Sequence, residues 1–547
     1  MSTTVRPSAS QNTSAPGNRG NAAPALSGVL RAAARDSKLK GLVTHVGAAQ
    51  LAIQGPDAVW PFAVGTIAQH APVLVITATA RQAEDLTEQL KAMLGDEVEL
   101  MPAWETLPHE RISPNVETVS QRMKVLRRLH RQTAGELGES DTRIRVVVAP
   151  VRTLVQPIQD SLGAVTPVHL AVDQEVDFEQ IQHELVERGY SAVDVVAKRG
   201  HFAVRGGILD VFPATGELPV RVEFWGDEVS DIRPFSVGDQ RTVPGVELDE
   251  ITVYPARELL ITDSVATRAG ELAKEHASHA ELADVYHKIS EKIAVPGMEA
   301  LIPSLHDGEL KLLPEFLPEG THTIVLAPAA VERRAADLKE TGEQFLEAGW
   351  EAAAMGADAP ADGVAYVSVA AARHAQAALD RPWWTLSPLG MVDSDEGFDG
   401  DALLLDYDAA PQPRGEMEAI EHMMADIRTR VEAGGRVAFA APTPTVAARM
   451  LRRFHEAGIA AEAVGVDLRG QRGIGRQAAS KATPDQEPAP KKVSIYHAVA
   501  HDGLVFPMAR GEQPSLLFLT ETDVTGNRVE AAATGKRKPA KRRNRVD

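Results

Sequence analysis

The chain has 547 residues, enough for three or four domains of ordinary size, and its 44% hydrophobic content is sufficient to bury a sizeable core. It contains no cysteine, which excludes disulfides and thiolate metal sites and is typical of a protein in a reducing cytoplasm. The net charge is −19 even though residues 536–547 carry seven cations, so the rest of the chain repels phosphate backbones and tight nonspecific DNA binding is not expected.

The first 165 residues predict a disordered start followed by an α/β unit. Residues 1–30 are rich in Ser, Asn, Ala, Pro and Gly and have little to bury, which predicts disorder. From 31 to 165, short apolar runs alternate with a helical stripe, as in a buried parallel sheet covered by helices. The predicted elements are the strands Val73–Thr77, Val98–Met101 and Arg145–Ala149 and the helix Ala80–Leu94, which Gly95 ends.

Residues 166–252 change to the alternating apolar and polar pattern of antiparallel strands. Phe202–Val211 predicts one strand or a bulged pair, because Gly206-Gly207 interrupts it. A hairpin with its turn at Gly226-Asp227 is predicted from the strands Val220–Trp225 and Val229–Phe235. These features indicate a mainly antiparallel α+β module inserted into the surrounding α/β unit.

The rest of the chain returns to α/β spacing. Residues 253–380 predict the second half of the first unit and include a long helical stretch over Ser264–Ile293. Residues 395–530 predict a small α/β domain whose polar stretch 470–492 is a flexible insertion, and residues 531–547 predict a basic linker. The predicted elements of this domain are the helices Glu416–Val431 and one capped by Thr443 or Thr445, and the strands Arg436–Ala440 and Leu516–Thr520.

Four segments resemble, in order, those of one family. The most informative is Arg199–Thr242 (RGHFAVRGGILDVFPATGELPVRVEFWGDEVSDIRPFSVGDQRT). It resembles the sheet module shared by bacterial transcription-repair coupling factors (the Mfd family) and the excision-repair subunit UvrB. The others are WETLPHERISP at Trp104–Pro114, APVRTLVQP at Ala149–Pro157 and LTETDVTGNR at Leu519–Arg528. Because all four occur in the family's order, residues 40–530 resemble its UvrB-like half and third domain.

The resemblance implies a multidomain α/β fold, namely degenerate RecA-like halves around the inserted sheet module plus the small C-terminal domain. It also implies a cytoplasmic, monomeric factor of transcription-coupled nucleotide excision repair that recruits UvrA to stalled RNA polymerase. In the family, polymerase binding and ATP- and Mg²⁺-dependent movement on double-stranded DNA belong to domains that this chain is expected to lack. No membrane span is expected, since no apolar run reaches roughly 20 residues.

The expected UvrA-binding residues lie on the sheet module. Residues two apart on a strand share a face, so Arg221, Glu223 and Trp225 are expected opposite the aliphatic core face. Arg and Trp are enriched at protein–protein hot spots. By resemblance, Arg205, Arg221 and Trp225 dock onto UvrA, and Trp225 stands where the family usually has Phe. The alternative is that Arg221 and Glu223 form an ordinary surface pair and that Trp225 is partly core.

Two other functions are weighed against recruitment. An ATP-dependent helicase needs a phosphate loop with Gly, Lys and Ser or Thr, and the expected place, Val43–Leu51 (VTHVGAAQL), lacks the Lys and the Ser; no cofactor is therefore expected. A UvrB-type damage clamp needs an aromatic-rich hairpin to stack on bases, whereas the six tyrosines of this chain are scattered.

Three further patterns carry weaker predictions. Gly473–Ala478 matches G-x-G-x-x-A but opens a polar loop, so a dinucleotide site is not favoured. His276, His279 and His287 share a face of the predicted long helix, and solvated histidines are much commoner than such a metal site, so no metal is expected. The basic tail is interpreted as a solvated linker with weak, salt-sensitive phosphate contacts.

Overall fold

The computed structural model describes residues 23–107, 110, 112–354, 366–388, 401–410, 417–468, 482–507 and 516–525. It confirms a mixed α/β multidomain fold with three principal sheets of seven, five and six strands. The basic tail, the Gly473–Ala478 motif and the first 22 residues lie outside the described residues.

The seven-stranded sheet forms the centre of the first unit, and all of its strands are parallel. Its central strands are apolar and buried on both faces, as expected for a parallel sheet covered by helices. The strands, in spatial order, are Asp401–Leu404, Gln50–Gln54, Trp383–Ser387, His322–Leu326, Val73–Thr77, Val146–Pro150 and Val98–Leu100. The strands predicted near residues 73, 98 and 145 are confirmed, with the last shifted by one residue.

Helices and short turns cover this sheet. The predicted helix Ala80–Leu94 is confirmed; Thr79 and Gln82 form a capping box at its start, and Gly95, with φ of 65°, ends it. The other helices are Ser27–Ala33, Ser37–Val43, Trp60–Ala68, Val116–Thr133, Val151–Leu154, Ile302–Leu305, Pro328–Ala354 and Val369–Ala378. The 3₁₀ turns and the small strand pair are Asp57–Val59, Gly95–Glu97, Leu162–Ala164, Met298–Leu301, Leu313–Phe316, Ile158–Gln159 and Leu310–Lys311.

The inserted module contains a five-stranded sheet, called here the interaction sheet. Its strands, from one edge to the other, are Glu228–Pro234, Val220–Trp225, Ile208–Val211, His201–Arg205 and Ser191–Ala192. Four are antiparallel, and the last pairs parallel to its neighbour. The helix Phe178–Glu187 and the antiparallel pair Val168–Ala171 and Glu250–Val253 pack on the core of the module.

The turn at Gly226-Asp227 is confirmed, whereas the prediction for Phe202–Val211 is wrong. This segment is neither one strand nor a bulged pair, because the chain reverses at Gly206-Gly207 and makes a second two-residue hairpin. Gly206 has φ of 60°, a conformation that favours glycine and suits the tight turns of hairpins.

The predicted helical stretch Ser264–Ile293 is two helices, Asp263–Glu275 and Ala280–Ser290, rather than one. They pack against each other through a shared apolar core that includes Leu272, Leu282 and Ile289. In this helical hairpin, each of the two short amphipathic helices buries its apolar face against the other. A single straight helix over the same residues has no second helix to cover its apolar face.

The C-terminal unit is a six-stranded mixed sheet with helices Met417–Glu432, Pro444–Glu456 and Glu521–Thr525. Thr443 caps the second helix, as one of the two predicted alternatives stated. Its strands, in spatial order, are Asp408–Ala409, Leu504–Phe506, Leu516–Thr520, Arg436–Ala441, Val493–His497 and Ala461–Val464.

Three predicted boundaries differ from the structure. The helix Ser27–Ala33 follows a fully buried Leu26, so the prediction of disorder is wrong for residues 23–30. The strand Asp401–Leu404 pairs with Gln50–Gln54 and therefore continues the first unit beyond residue 395. Within 482–492, the Pro484 carbonyl accepts a 3.0 Å hydrogen bond from the Gly28 amide, so this part of the predicted flexible insertion is packed.

Candidate partner-binding face

Strand alternation divides the interaction sheet into two faces. Val220, Val222 and Phe224 point into the core of the module and are buried. Trp225, next in the chain after Phe224, points the other way and is 84% exposed. The predicted division of this strand into an apolar and a polar face is confirmed, and the alternative that Trp225 is partly core is wrong.

The outer face consists of a covered part and an open part. Val196 and the loop around Gln240 lie over the covered part. Val196 forms a small apolar cluster there with Ala203, Phe212 and Phe235. Beyond this cover, the strand register aligns one row of residues across four strands: Arg205, Ile208, Glu223 and Asp231. This row and Trp225 are called here the open face.

Arg205 and Trp225 lie on the open face, at the turn end of their strands. Arg205 is the last residue before the Gly206-Gly207 turn, and its Nη2 donates to the Asp194 carbonyl at 2.6 Å. Trp225 is the last residue before the Gly226-Asp227 turn, where Asp227 and Glu228 are also exposed. Two hairpin ends therefore present a cation and a large aromatic ring to solvent on the same side of the sheet.

Arg221 has a different environment, at the border between the covered and open parts. Its Nε and Nη2 donate to the two carboxylate oxygens of Asp210, at 2.7 and 2.8 Å. Its guanidinium lies over the Phe235 ring, 5.0 Å from the centroid, and its Nη1 reaches the Gln240 carbonyl at 3.5 Å. The hydrogen bonds that Arg221 donates to Asp210 raise the pKa of Arg221 above its usual range, and only 19% of its side chain is exposed.

This geometry separates the three predicted site residues into two kinds. Arg205 and Trp225 are available for contact with a partner, whereas most of the hydrogen-bonding capacity of Arg221 is used inside the module. Bidentate pairing of a guanidinium with a carboxylate fixes both groups in orientation. Arg221 is therefore arranged to hold the strand Val220–Trp225 against Ile208–Val211 and the loop at Gln240. The assignment of all three to UvrA binding stays a prediction.

Sequence reasoning missed Asp210, Phe235 and Gln240, the partners of Arg221. Asp210 lies opposite Arg221 in the register between the strands Ile208–Val211 and Val220–Trp225. Residues 212–219 connect these strands, and a connection of that length does not fix a register as a two-residue turn does. Gln240 has no sequence signal either, because its role depends on a loop in which its own φ is 60°.

The loop that corresponds to a phosphate loop is also different from the predicted one. Val43–Leu51 ends a helix and starts the strand Gln50–Gln54, whereas a phosphate loop follows a strand and precedes a helix. The loop with that topology is Gly55–Val59, which leads into the helix Trp60–Ala68. Its sequence, GPDAV, contains neither Lys nor Ser or Thr.

The C-terminal unit and the chain leading to it fill the space at this loop. A Cβ on Gly55 would lie 3.1 Å from both the Cβ and the carbonyl oxygen of Leu405. Phe62, which is 1% exposed, makes edge-to-face contacts with Phe506 at 5.1 Å and Phe518 at 5.3 Å. One continuous apolar core joins the two units here. Asp57 lies beside this junction, where burial and the Asp502 carboxylate raise its pKa.

The histidine pattern does not assemble a site. His276 and His279 lie in the turn between two helices, with ring centroids 6.4 Å apart, so the predicted common helical face is wrong. His276 stacks on Tyr286, and His287 lies 3.6 Å from Glu291. In the part of the chain that the structure describes, no group of three His, Cys, Asp or Glu residues is arranged to hold a metal ion. Nor do the described helices include one long and apolar enough to cross a membrane.

Comparison with known proteins agrees with the motifs. The family model described as the UvrB interaction domain matches residues 168–259, which contain the interaction sheet. Transcription-repair-coupling factors of Mycobacterium bovis and Mycobacterium tuberculosis are each 41% identical over 91% of this chain. That of Escherichia coli is 28% identical over 51% of the chain and 23% of its own length. The chain spans 39% of the length of the mycobacterial relatives. The resemblance to the N-terminal portion of this family is confirmed.

Proposed function

We propose, from the relationship of this chain to the N-terminal portion of the transcription-repair-coupling factors, that it recruits UvrA in transcription-coupled nucleotide excision repair. The open face of the interaction sheet is the proposed binding surface. Arg205 and Trp225 contact the partner, and Arg221 holds the strands that present them. The chain acts as a monomer in the cytoplasm, without ATP or Mg²⁺. RNA-polymerase binding and movement on double-stranded DNA belong to other parts of a longer protein.

The exposure of Trp225 is the observation that carries this proposal. A tryptophan that is 84% exposed leaves a large apolar surface in water. Because this surface is not buried, it does not stabilise the fold. Tryptophan and arginine are the side chains that dominate protein–protein hot spots. Here both types stand at adjacent hairpin ends of the module that matches the UvrB interaction domain.

The direct test is calorimetric titration of this chain with purified UvrA, with and without ATP. The wild-type chain is expected to bind, and Trp225→Ala and Arg205→Ala are expected to weaken binding while circular dichroism shows an unchanged fold. The matched control is Leu379→Ala, since Leu379 is an exposed apolar residue in a different part of the molecule. Binding by wild type and both open-face variants with equal affinity would overturn the proposed surface.

A helicase or an ATP-dependent damage clamp is the competing function, and a steady-state ATPase assay separates it from recruitment. The sequence GPDAV at the loop Gly55–Val59 offers no lysine for β- and γ-phosphates and no hydroxyl for Mg²⁺. The expected result is no hydrolysis above background, with or without DNA. ATP turnover that rises in proportion to the concentration of the purified chain would instead support the enzyme.

A further inference from the structure

A groove runs along the edge of the interaction sheet, between the helix Phe178–Glu187 and the strand His201–Arg205. Its volume is about 620 Å³. Val186 and His183 line it from the helix, Val193 and Asp194 from the segment after the edge strand, and Phe202 and Val204 from the sheet. The groove lies beside the open face rather than on it, because Phe202 and Val204 belong to the core face of the sheet.

The sheet edge in this groove is incompletely paired. The edge strand Ser191–Ala192 pairs with His201 and Phe202, and the Val193 amide adds one hydrogen bond to the Phe202 carbonyl at 2.9 Å. Alternate residues of a strand direct their backbone groups to the same side. Val204, two residues after Phe202, therefore directs its N–H and C=O into the groove, and no backbone partner for that side is found among the described residues.

Apolar and acidic groups surround this edge. Val186 is 54% exposed and faces the groove from the helix, and Val193 and Phe202 form apolar surface below it. Glu179 and Asp194 are exposed at the rim, and neither has an ion-pair partner within the described part of the chain. Among the described residues that line the groove, His183 is the one whose side chain can carry positive charge. The groove is therefore suited to an apolar side chain accompanied by cations.

We propose that this groove binds an extended segment of a partner protein, which pairs with Val204 beyond the end of the edge strand Ser191–Ala192 and carries alternating apolar and basic side chains. The segment's backbone pairs with the N–H and C=O of Val204, as in other cases of strand addition to a free sheet edge. Its apolar side chain contacts Val186 and Val193, and its lysine or arginine side chains reach Glu179 and Asp194.

The groove is continuous with the open face through Arg205. The Arg205 guanidinium donates to the carbonyl of Asp194, a groove residue, while its own strand position lies in the open-face row. A partner seated on the open face could thus extend a flanking segment into the groove. The groove proposal does not depend on UvrA being that partner.

The test uses a fluorescein-labelled heptapeptide of alternating lysine and valine, with capped ends, in anisotropy titrations of the full chain. Saturable binding is expected. Val186→Arg, which fills the groove, is expected to weaken it by about tenfold or more. The matched control is Val195→Arg, because Val195 is similarly exposed at 48% but does not line the groove, and its affinity is expected to equal that of wild type.

Two further measurements identify the interactions. A peptide with alternate amides N-methylated is expected to lose binding, since it cannot pair with Val204. The double variant Glu179→Gln/Asp194→Asn is expected to weaken binding and to reduce its salt dependence. Trp225→Ala is expected to leave peptide binding unchanged, which separates this site from the open face.

Three results would overturn the proposal. These are the absence of saturable binding up to about 1 mM peptide, equal weakening by Val186→Arg and Val195→Arg, and binding of a valine–glutamate peptide as tight as that of the lysine peptide. Sedimentation showing a dimer of the chain that Val186→Arg dissociates would also overturn it, since a second copy would then be the occupant.

Discussion

The loop Gly55–Val59 and the open face of the interaction sheet differ in what covers them. The loop has the topology of a phosphate loop, but Leu405 lies against Gly55, and Phe62 in the following helix is enclosed by Phe506 and Phe518. The open face presents Trp225 with most of its surface in solvent. The first region therefore holds the two units together, and the second is free to bind a partner. Substitutions at the two regions should therefore change different quantities.

The largest effect is expected from Phe62→Ala, at the closed region. Phe62 is 1% exposed and packs edge-to-face on two rings of the C-terminal unit. Removing a buried phenyl ring loses its transfer free energy and leaves a cavity, which costs about 3–5 kcal/mol. Urea unfolding followed by circular dichroism should show this loss in the transition of the first unit.

We expect Phe62→Ala to leave UvrA affinity unchanged at temperatures where the variant is folded. Leu379→Ala serves as the control for stability, because an exposed leucine changes the free energy of unfolding by about 0.5 kcal/mol or less. If Phe62→Ala weakens UvrA binding as much as an open-face variant does, the two regions are coupled. Cohesion between the units and partner binding are then not separate properties of the two regions.

The second effect is expected from Trp225→Ala, at the open face. Loss of an exposed tryptophan should change the free energy of unfolding by about 0.5 kcal/mol or less, since little packing is removed. As a hot-spot residue it should weaken UvrA binding by about 2 kcal/mol or more, roughly 30-fold in Kd. Calorimetry of the variant and of wild type measures both the Kd and the enthalpy.

Trp225→Phe sharpens the same prediction, because it keeps an aromatic ring at the hairpin end. Its Kd should lie much closer to that of wild type than to that of Trp225→Ala. Equal loss in both variants would mean that the indole N–H or the full width of the ring, rather than aromatic surface, makes the contact.

The third effect concerns Arg221, which lies at the border between the covered and open parts of the interaction sheet's outer face. Arg221→Ala removes the partner of Asp210, whose side chain is 5% exposed, and leaves a buried carboxylate unpaired. The free energy of unfolding should fall by about 1–3 kcal/mol. Weaker UvrA binding by this variant would then reflect, at least in part, a disturbed strand and loop.

Asp210→Asn distinguishes support from contact. It keeps Arg221 on the sheet but removes the charge of its partner, so a supporting role predicts losses of both stability and UvrA affinity. If Arg221 contacts UvrA directly, Asp210→Asn should leave the affinity nearly intact while Arg221→Ala abolishes it. The two variants measured side by side by urea unfolding and calorimetry decide between these roles.

The sequence predicted those features that follow from local periodicity. The strand Val73–Thr77, the helix Ala80–Leu94 and the alternation around Trp225 are set by apolar spacing and by turn residues close in the chain. The pairing of Arg221 with Asp210 was not predicted, because it depends on the register between two strands that residues 212–219 connect. The hairpin at Gly206-Gly207 was not predicted either, since the sequence indicated one strand or a bulged pair there. A short Gly-Gly sequence suits either structure, and strand pairing decided between them.

Contacts between segments that are distant in the chain could not be predicted from the sequence. The packing of Leu405 on Gly55 joins residues 350 positions apart, and no motif in either segment indicates it. The strand Asp401–Leu404 was assigned to the wrong unit for the same reason, since its partner Gln50–Gln54 is equally remote. The phosphate-loop position was misplaced because the strand before it had not been identified.

The smallest effect is expected at Asp57, beside the closed loop. Burial and the Asp502 carboxylate raise the pKa of Asp57 above its ordinary value of 3.8, so the folded chain binds this proton more tightly than the unfolded chain. Below pH 3.8 the Asp57 carboxyl is protonated in both states and does not change the free energy of unfolding, which then falls as the pH rises from 3.8 through the folded-state pKa.

Asp57→Asn removes that cost, so it should raise the free energy of unfolding at pH 7 by about 0.5 kcal/mol or less, because the site is half open to solvent. The gain should vanish as the pH falls below 3.8. Asp502→Asn should give part of the same gain, since it removes the repulsion but not the burial. A loss of stability in Asp57→Asn at pH 7 would show that the carboxylate makes a favourable contact, and that the closed region tolerates this charge for a structural reason.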